Sequence, residues 1–362
     1  MHSAELHESI ATDRTATASA HGRVNLIGEH TDYHEGYVLP ALIPQATSVQ
    51  VQRRDDQHVR ASSNLQGGSW QEYDLGDEMA GRGWLDYIQG TTSVLTADGL
   101  TVPGFDVTVQ SDVPVGAGLS SSAALIVSLL RALRTLVSLP LDDVQLARLA
   151  QRVEVTFVGA PVGIMDTMAS SVGREREGLL LDTRSLACER IPLPGSFDLL
   201  VIDSGVRHSN SDGGYALRRQ ESMVAATWLG VRVLRDLDEQ ALAQANTVPS
   251  VLARRAKHVV TENGRVLRAA DALRNGDGPA LGALLCESHE SMRADYEIST
   301  SEIDVLVSLG QAHPEIFGAR MTGGGFGGSV VMIAKPGQGQ AAALHIMAKY
   351  AAVTSRRPRL IT

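Results

Sequence analysis

The hydrophobic and polar positions around residue 120 change from a strand period to a helix period within a short span. Residues 105–109 (FDVTV) alternate apolar and polar side chains, which is typical of a strand with one buried face. The next segment, DVPVGAGLSSS, is rich in turn residues. Ala123 to Val137 are then mostly apolar helix formers, interrupted by Arg131 and Arg134. The pattern predicts a strand, a turn and a largely buried helix.

Patterns elsewhere in the chain predict a mixture of helices and strands. An amphipathic helix is expected from Asp142 to Phe157, because acidic residues open it where the helix dipole favours negative charge, and Gly159 and Pro161 follow it. The C-terminal part predicts helices near residues 217–229 and 254–275 and a strand at 329–333. We therefore predict an α+β fold.

Chain length favours two domains over one. The 362 residues, 43% of them hydrophobic, are enough to bury a sizeable core. Pro192 to Ser196 (PLPGS) interrupts the pattern just before an apolar strand, FDLLVID, and is the best candidate linker. We predict a flexible N-terminal tail at residues 1–20, an N-terminal domain at 21–195 and a C-terminal domain at 196–362.

Charge and cysteine content narrow the possible partners. The net charge of -9 is spread along the sequence, which argues against a nucleic-acid or anionic-membrane surface. Cys188 and Cys286 stand alone, so neither a disulfide framework nor a zinc site is indicated. No run approaches the roughly 18 apolar residues of a membrane helix. We expect a cytoplasmic protein without nucleic-acid or membrane partners, acting as a monomer or weak homo-oligomer.

The turn before the buried helix has the composition of an anion-binding loop. It consists of Gly116, Ala117, Gly118, Leu119, Ser120, Ser121 and Ser122. Backbone N–H groups and the positive end of the helix dipole favour a phosphate at such a place. A Walker A lysine and the third glycine of a dinucleotide fingerprint are both missing. A tight turn without a ligand is the alternative, but the serines favour phosphate binding, and Ser122 could also reach a magnesium ion.

Three segments resemble, in order, the three motifs of the GHMP small-molecule kinases. They are GRVNLIGEHTDY (residues 22–33), PVGAGLSSSAA (114–124) and MTGGGFGGS (321–329). The first is close to the galactokinase signature, and the stretches GIMD (163–166), DSGVRHSNSDGGYALRRQE (203–221) and ESHESMRADYEIS (287–299) also look like galactokinase. The resemblance implies an N-terminal α/β domain packed on a ferredoxin-like C-terminal domain, with the active site in the cleft between them.

The resemblance also implies a role for each motif residue. Asp166 would accept the proton of a galactose hydroxyl, and Arg23 would orient that carboxylate. The implied sugar-binding residues are Glu29, His30, Thr31, Asp32, Gly163 and Tyr215. The implied magnesium ligands are Ser122 and Glu154, and the implied ATP contacts are the loop at 116–122 together with Ser63 and Trp84. The expected reaction is phosphorylation of galactose at its anomeric C1 hydroxyl by ATP and Mg²⁺.

Physical chemistry agrees with these roles but leaves alternatives open. A sugar pocket needs several short polar groups, and phosphoryl transfer needs a metal, positive charge and an in-line nucleophile. EHTD (29–32) could instead be a helix N-cap, and Asp166 a helix cap. A guanidinium beside Asp166 also makes it a weaker base, so an orienting role remains open. We expect Gly323 to Gly328 to shape the cleft, with a sharp bend as the alternative. On a predicted helix, one face carries side chains that could pair at i,i+4 spacing, namely Lys257, His258, Glu262 and Arg265.

Some positions depart from the usual galactokinase pattern. The first motif begins AHGR rather than APGR, and His34-Glu35-Gly36 replaces the usual Asn-Gly-Gly turn. The residues on either side of GIMD, Val162 and Thr167, also differ from those of the usual pattern. These positions lie near the expected sugar site, so a related kinase for an N-acetylated or acidic galactose derivative is the second hypothesis. A non-catalytic sugar and ATP sensor is the third, although Ser120 to Ala124 and Asp166 are all present.

Overall fold

The computed structural model describes residues 14–207, 213–243 and 248–362. In the first of these ranges the strands are β1 (Thr15–Asn25), β2 (Tyr37–Val38), β3 (Pro40–Arg53), β4 (His58–Ser63), β5 (Gln71–Asp74), β6 (Phe105–Ser111), β7 (Glu177–Asp182), β8 (Cys188–Pro192) and β9 (Asp198–Val206). The helices there are α1 (Leu85–Ala97), α2 (Ser121–Val137), α3 (Asp143–Arg152) and α4 (Met165–Val172). The predicted mixture of helices and strands is confirmed.

Eight strands of the described residues, β1 to β8, make one mixed sheet. Its main path runs β2-β7-β3-β6-β4-β5, with β1 beside β3 and β8 beside β7. β4 and β6 are parallel, with Arg60 opposite Asp106, whereas β3 and β6 are antiparallel. The strand predicted at 105–109 is β6, and its alternating residues Phe105, Val107 and Val109 face the core. The predicted turn follows the end of β6 at Ser111, and β6 lies inside the sheet between β3 and β4.

The helix α2 is the central helix of this domain. It begins at Ser121, two residues before the predicted start, and it packs against β1 and β3. Most of its apolar side chains, such as Ile126 and Leu130, are fully buried. Each such side chain contributes about 1.5–3 kcal/mol when it leaves water. That burial holds the N-terminus of α2 in a fixed position directly behind the serine-rich turn.

The helix predicted from Asp142 to Phe157 consists of two different segments. The first is α3, which begins with a capping box between Asp142 and Gln145. The second is a π-helical segment, Val153–Val158, which ends at Gly159 with a left-handed φ of 80°. Wider π turns of this kind are frequent at functional sites. This one carries Glu154, a predicted metal ligand.

The C-terminal sheet is built from β9, β10 (Ile316–Thr322), β11 (Gly328–Ala334) and β12 (Arg359–Leu360), in the order β10-β11-β9-β12. The helices of this part are α5 (Gly214–Trp228), α6 (Glu239–Ala243), α7 (Ser250–Arg274), α8 (Gly278–Ser291), α9 (Ser301–Gln311) and α10 (Gly339–Thr354), and Met292–Tyr296 is π-helical. The elements predicted near 217–229, 254–275 and 329–333 are α5, α7 and β11.

A shared hydrophobic core joins the two sheets. Leu26 and Leu39, on either side of the first motif, lie in the same cluster as Val266 of α7 and Val331 of β11. The segment that carries EHTD is therefore packed directly against the C-terminal helices. This packing brings the predicted sugar residues next to the glycine-rich loop between β10 and β11.

The predicted N-terminal tail at 1–20 needs a correction. Thr15 to Ala20 belong to β1 and pair with β3, and the side chains of Ala16 and Ala20 are buried in the core. Residues 1–13 lie outside the described residues. The chain leaves the first sheet at Pro192 and enters the second at Asp198. We propose the boundary between domains 21–195 and 196–362 within this segment. None of the described helices is long and apolar enough to cross a membrane.

Candidate active site

The predicted phosphate loop has the backbone geometry of an anion-binding turn. Gly116 and Gly118 have positive φ angles of 70° and 71°, and Ser120 has a φ of 58° directly before α2. Ala117 and Leu119 are buried and anchor the loop in the core. The Ser120 hydroxyl is buried and has no hydrogen-bond partner among the described residues. An alternation of left-handed residues at a helix N-terminus aims N–H groups outward, which suits a phosphate.

The glycine-rich loop after β10 lies directly on this phosphate loop. A Cβ on Gly323 would be only 3.1 Å from the Gly118 carbonyl oxygen, and a Cβ on Gly328 would be 3.1 Å from that of Ala117. The Ser329 hydroxyl donates to the Ala117 carbonyl at 2.8 Å. The glycines are needed because another backbone comes close, as the sequence predicted, rather than for a bend alone.

The pair Arg23 and Asp166 meets at the phosphate loop. Arg23 Nε and Nη2 lie 2.8 Å and 2.6 Å from Asp166 Oδ1, and Arg23 Nη1 donates to the Gly118 carbonyl at 2.7 Å. The Arg23 side chain is 4% exposed, whereas that of Asp166 is 26% exposed. Arg23 lies near the end of β1, and Asp166 lies in the first turn of α4. The carboxylate is therefore held by a buried cation while it remains accessible.

Ser122 and Glu154 form the other predicted pair. The Ser122 hydroxyl donates to Glu154 Oε1 at 2.6 Å, and Glu154 Oε2 is buried without a partner among the described residues. Burial raises the pKa of Glu154 to about 7, and the nearby Asp166 also raises it. A buried, unsatisfied carboxylate oxygen beside a hydroxyl is a donor set that fits Mg²⁺. In the described ranges no three His, Cys, Asp or Glu side chains cluster as a metal site, so substrate oxygens would have to complete the coordination.

Glu29 lies at the back of the sugar loop, residues 28–32. It is 1% exposed; its carboxylate pairs with Arg320 and accepts from the Gly323 N–H at 3.0 Å. Burial raises its pKa, and Arg320 opposes that effect. The Thr322 hydroxyl also lies 3.3 Å from the oxygen that accepts from Gly323. Contact between Glu29 and a sugar hydroxyl stays a prediction.

His30 and Tyr215 are part of an aromatic cluster. The His30 ring lies 5.0 Å from the Tyr215 ring and 4.8 Å from the Tyr296 ring. The Gly324 carbonyl oxygen can only accept, so His30 Nε2 donates to it at 3.2 Å. The other ring nitrogen, Nδ1, then accepts from the Tyr33 hydroxyl at 2.7 Å. Burial lowers the pKa of His30 to about 3. The imidazole is therefore neutral and held in one tautomer.

Asp32 and Gly163 are in direct contact. A Cβ on Gly163 would lie 1.7 Å from Asp32 Oδ2, so only glycine fits there. Burial and the nearby Asp166 raise the pKa of Asp32 to about 6. Both residues border a cavity of about 370 Å³ that Tyr33 and Arg219 also line. This contact places the sugar loop beside the GIMD segment and hence beside Asp166.

Thr31 does not fit the role that the sequence suggested. It is fully buried, and its hydroxyl lies 2.9 Å from the Gly28 carbonyl and 2.7 Å from the Tyr37 carbonyl. A hydroxyl has one proton to donate, and here the carbonyl of Gly28 or that of Tyr37 in β2 accepts it. Thr31 therefore closes the sugar loop from inside the protein, and no part of its side chain is accessible.

Ser63 and Trp84 lie on elements next to the phosphate loop. Ser63 ends β4 opposite Val109 of β6, the strand that leads into that loop, and its hydroxyl accepts from the Leu65 N–H at 3.3 Å. Trp84 directly precedes α1, and its indole N–H is buried without a partner among the described residues. The helix α1 packs against the π-helical segment at 153–158. Their contact with a nucleoside stays a prediction.

Sequence reasoning missed several residues that support the site. Glu262 is fully buried; it accepts from the Gly28 N–H at 3.0 Å and the Ser288 hydroxyl at 2.6 Å. His258 Nε2 donates to the Glu29 carbonyl at 3.1 Å. Glu262 does pair with Arg265 on the same helix, but pairing within the helix is not the whole explanation, because Glu262 and His258 also turn into the core and bond the sugar loop. Arg207 borders Gly116, where a Cβ would be 3.2 Å from its Cδ.

Comparison with known proteins agrees with this geometry. Residues 86–174 match the family described as GHMP kinases N terminal domain, residues 269–352 match GHMP kinases C terminal, and residues 5–53 match the galactokinase galactose-binding signature. The galactokinase of Chloroflexus aggregans is 41% identical over 350 residues, 94% of this chain and 90% of that protein. The galactokinase of Pasteurella multocida is 40% identical over 333 residues, 88% of this chain and 85% of that protein.

Solved structures lead to the same family. The Lactococcus lactis galactokinase, crystallised with galactose, superposes with a TM-score of 0.92 and 29% identity over 96% of this chain and 93% of that chain. The Methanococcus jannaschii mevalonate kinase shares the fold, with a TM-score of 0.69, 17% identity and coverage of 95% of this chain and 96% of that one.

The two-domain fold and the loop at 116–122 define a GHMP kinase, a small-molecule kinase of this superfamily. Within that superfamily the chain belongs to the galactokinase family.

Proposed function

We propose that this chain transfers the γ-phosphoryl group of ATP to the anomeric C1 hydroxyl of galactose and releases galactose 1-phosphate into galactose metabolism. One observation carries the proposal. The Arg23 guanidinium bonds both Asp166 and the Gly118 carbonyl, so a single buried cation joins the candidate base to the phosphate loop. A terminal phosphoryl group on that loop and a sugar hydroxyl at Asp166 would meet within reach of the same cation.

The chemistry of the transfer follows from these two side chains. Phosphoryl transfer asks the protein mainly for positioning and for positive charge near the migrating group. Asp166 binds the attacking hydroxyl and accepts its proton, and Arg23 orients that carboxylate and offsets the developing charge. Because Arg23 also weakens Asp166 as a base, we propose that orientation of the hydroxyl comes first and proton transfer late.

Sugar recognition would use the polar groups around the cavity beside Asp32. We assign hydroxyl contacts to Asp32 and Glu29, with the His30 ring, Tyr215 and the Gly163 backbone forming the wall. A site that bonds several hydroxyls rejects epimers that leave those groups unpaired. Ionised Asp32 would accept hydrogen bonds from sugar hydroxyls, and these bonds would offset the free-energy cost of burying its charge.

ATP would be bound by the phosphate loop, with Ser63 and Trp84 on the nucleoside side. We propose that Ser122 and Glu154 hold Mg²⁺, which would neutralise the phosphate oxygens when bound. The unsatisfied Oε2 of Glu154 and the unsatisfied hydroxyl of Ser120 support this assignment, because buried polar atoms without partners are costly.

The experiment is a purified-enzyme assay of ATP consumption against a panel of sugars. The panel contains galactose, glucose, talose, N-acetylgalactosamine and galacturonate, and the Asp166→Ala variant is the blank. Galacturonate is included because Arg219 lines the cavity beside Asp32 and so places a cation near the site. Fastest turnover of galactose supports the proposal. Faster turnover of N-acetylgalactosamine or galacturonate would instead support a kinase for a modified galactose. Sugar binding without turnover would support a non-catalytic sugar and ATP sensor.

We also propose that the protein works in the cytoplasm as a monomer or weak homo-oligomer. Cys188 and Cys286 are both free thiols, which suits a reducing compartment. Light scattering at several protein concentrations tests the assembly state, and a stable tetramer would contradict it.

A further inference from the structure

A buried ion pair lies directly behind the sugar loop. Arg320 of β10 is fully buried; its Nη1 donates to the Leu26 carbonyl at 2.7 Å, and its Nη2 donates to the Glu29 carboxylate. Nη2 also lies 3.1 Å from the Met292 sulfur. Buried ion pairs often add little stability compared with apolar residues of the same size. The pair therefore calls for an explanation other than stability.

The Glu29 carboxylate joins the sugar loop to the glycine-rich loop. Its Oε1 accepts from the N–H of Gly323, the first glycine of that loop, at 3.0 Å. A Cβ on Gly323 would be 3.1 Å from the Gly118 carbonyl oxygen in the phosphate loop. Gly323 therefore lies between the Glu29 carboxylate and the phosphate loop and is in close contact with both.

The backbone of the sugar loop has anchors besides Arg320. His258 donates to the Glu29 carbonyl at 3.1 Å, and Glu262 accepts from the Gly28 N–H at 3.0 Å. Both residues belong to α7, whereas Arg320 belongs to β10. Loss of the Arg320 side chain should therefore release the Glu29 carboxylate and leave the loop backbone in place.

We propose that Arg320 is a positioning residue that aims the Glu29 carboxylate at Gly323 and thereby couples the sugar site to the ATP site. Arg320 is too deeply buried to reach either substrate, so it acts through Glu29. The inference rests on the proposed function, since it specifies how the two substrate loops of that same site are held together.

A pH dependence distinguishes this role from a purely structural one. Burial raises the pKa of Glu29, and the attraction of Arg320 is the strongest opposing influence. The other titratable groups that act on this pair are Glu262 and His258 of α7 and His289 of α8, and His30 follows Glu29 in the chain. Without Arg320, Glu29 protonates at a higher pH than in the wild type. The defect of an Arg320 variant should thus lessen as the pH rises.

The test compares Arg320→Met, Arg320→Lys and the double variant Glu29→Gln/Arg320→Met with the wild type. The control is Arg255→Met, because Arg255 is equally buried and paired but bonds neither the sugar loop nor the glycine-rich loop. Initial rates give KM and kcat for galactose and for ATP between about pH 6 and about pH 9, and thermal unfolding reports stability. Arg320→Lys keeps the charge and covers the case in which Arg320→Met does not fold.

Arg320→Met should raise the KM for galactose by about ten- to a hundredfold, the scale of a misplacement of about 1 Å. Relative to the wild type, its kcat/KM for galactose should climb with pH, and the double variant should lose that climb. Arg320→Lys should show a smaller defect. Arg255→Met should lose stability and keep both KM values within about twofold.

Two outcomes overturn the proposal. One is an Arg320→Met enzyme whose KM values and pH profile equal those of Arg255→Met. The other is an unchanged affinity for ATP in calorimetric titration, because coupling predicts a loss of about threefold or more. The titration needs no turnover, so it decides the inference even if the wild type proves inactive with galactose, a result that would refute only the proposed function.

Discussion

The Asp32→Asn substitution tests whether ionisation of the Asp32 carboxylate destabilises the folded protein. Asp32 is partly buried between the sugar loop and Gly163, and burial together with the neighbouring Asp166 raises its pKa to about 6. Asparagine has nearly the same shape but no charge. The substitution therefore removes the cost of an ionised carboxylate and keeps the packing.

The magnitude follows from the linkage between protonation and folding. The pKa of Asp32 rises from 3.8 in the unfolded chain to about 6 in the folded protein, so the folded state holds the proton more tightly. The stability that the proton provides is complete below the lower value and is lost as the pH rises through the higher one. Between about pH 5 and about pH 8 the wild type should lose about 1 kcal/mol relative to Asp32→Asn, after allowance for partial exposure of the side chain.

The assay is urea unfolding of both proteins at the two pH values, without nucleotide or sugar. Asp32→Asn should be more stable at about pH 8, and its advantage should shrink at about pH 5. Asp55→Asn is the matched control, because Asp55 is exposed and should show no such trend. An advantage that is equal at both pH values, or larger in acid, would refute the reasoning. The same substitution should weaken galactose binding, because Asn is a poorer acceptor than a carboxylate.

Three further substitutions test separate parts of the site. Asp166→Ala should lower kcat by at least about a hundredfold while calorimetry still shows ATP binding, because a positioned base contributes about that much. Gly163→Ala should raise the KM for galactose at least about tenfold with an unchanged KM for ATP, because its Cβ would lie 1.7 Å from Asp32 Oδ2. Glu262→Gln should cost about 3 kcal/mol in urea unfolding, because it leaves Arg265 buried without its carboxylate partner.

The parts of the site that the sequence predicted are those built from local pattern. The loop at 116–122 could be predicted because its glycines and serines lie between an alternating strand and an apolar helix, and both elements are present. Arg23 and Asp166 were predicted through family motifs, and their side chains meet although they are 143 positions apart in the chain. Periodicity alone carries no information on such a distant pairing.

Other features depended on contacts that no local pattern reveals. The start of β1 at Thr15 is set by its pairing with β3, since Ala16 and Ala20 contribute only small side chains to the hydrophobic pattern. The π-helical turn at 153–158 could not be distinguished from a continuing α-helix, because the side-chain period hardly changes over six residues. Thr31 is polar and lies within the motif, yet its hydroxyl is used by nearby backbone carbonyls, those of Gly28 and Tyr37.

The two carboxylates behind the sugar loop explain why the site needs both domains. Glu29 belongs to the N-terminal domain, but Arg320 of β10 is its ion-pair partner, and Glu262 of α7 accepts the neighbouring Gly28 N–H. A buried carboxylate without a cation is too costly to retain, so the N-terminal domain cannot fix this loop by itself. The C-terminal domain thus sets the geometry of a loop that belongs to the N-terminal domain.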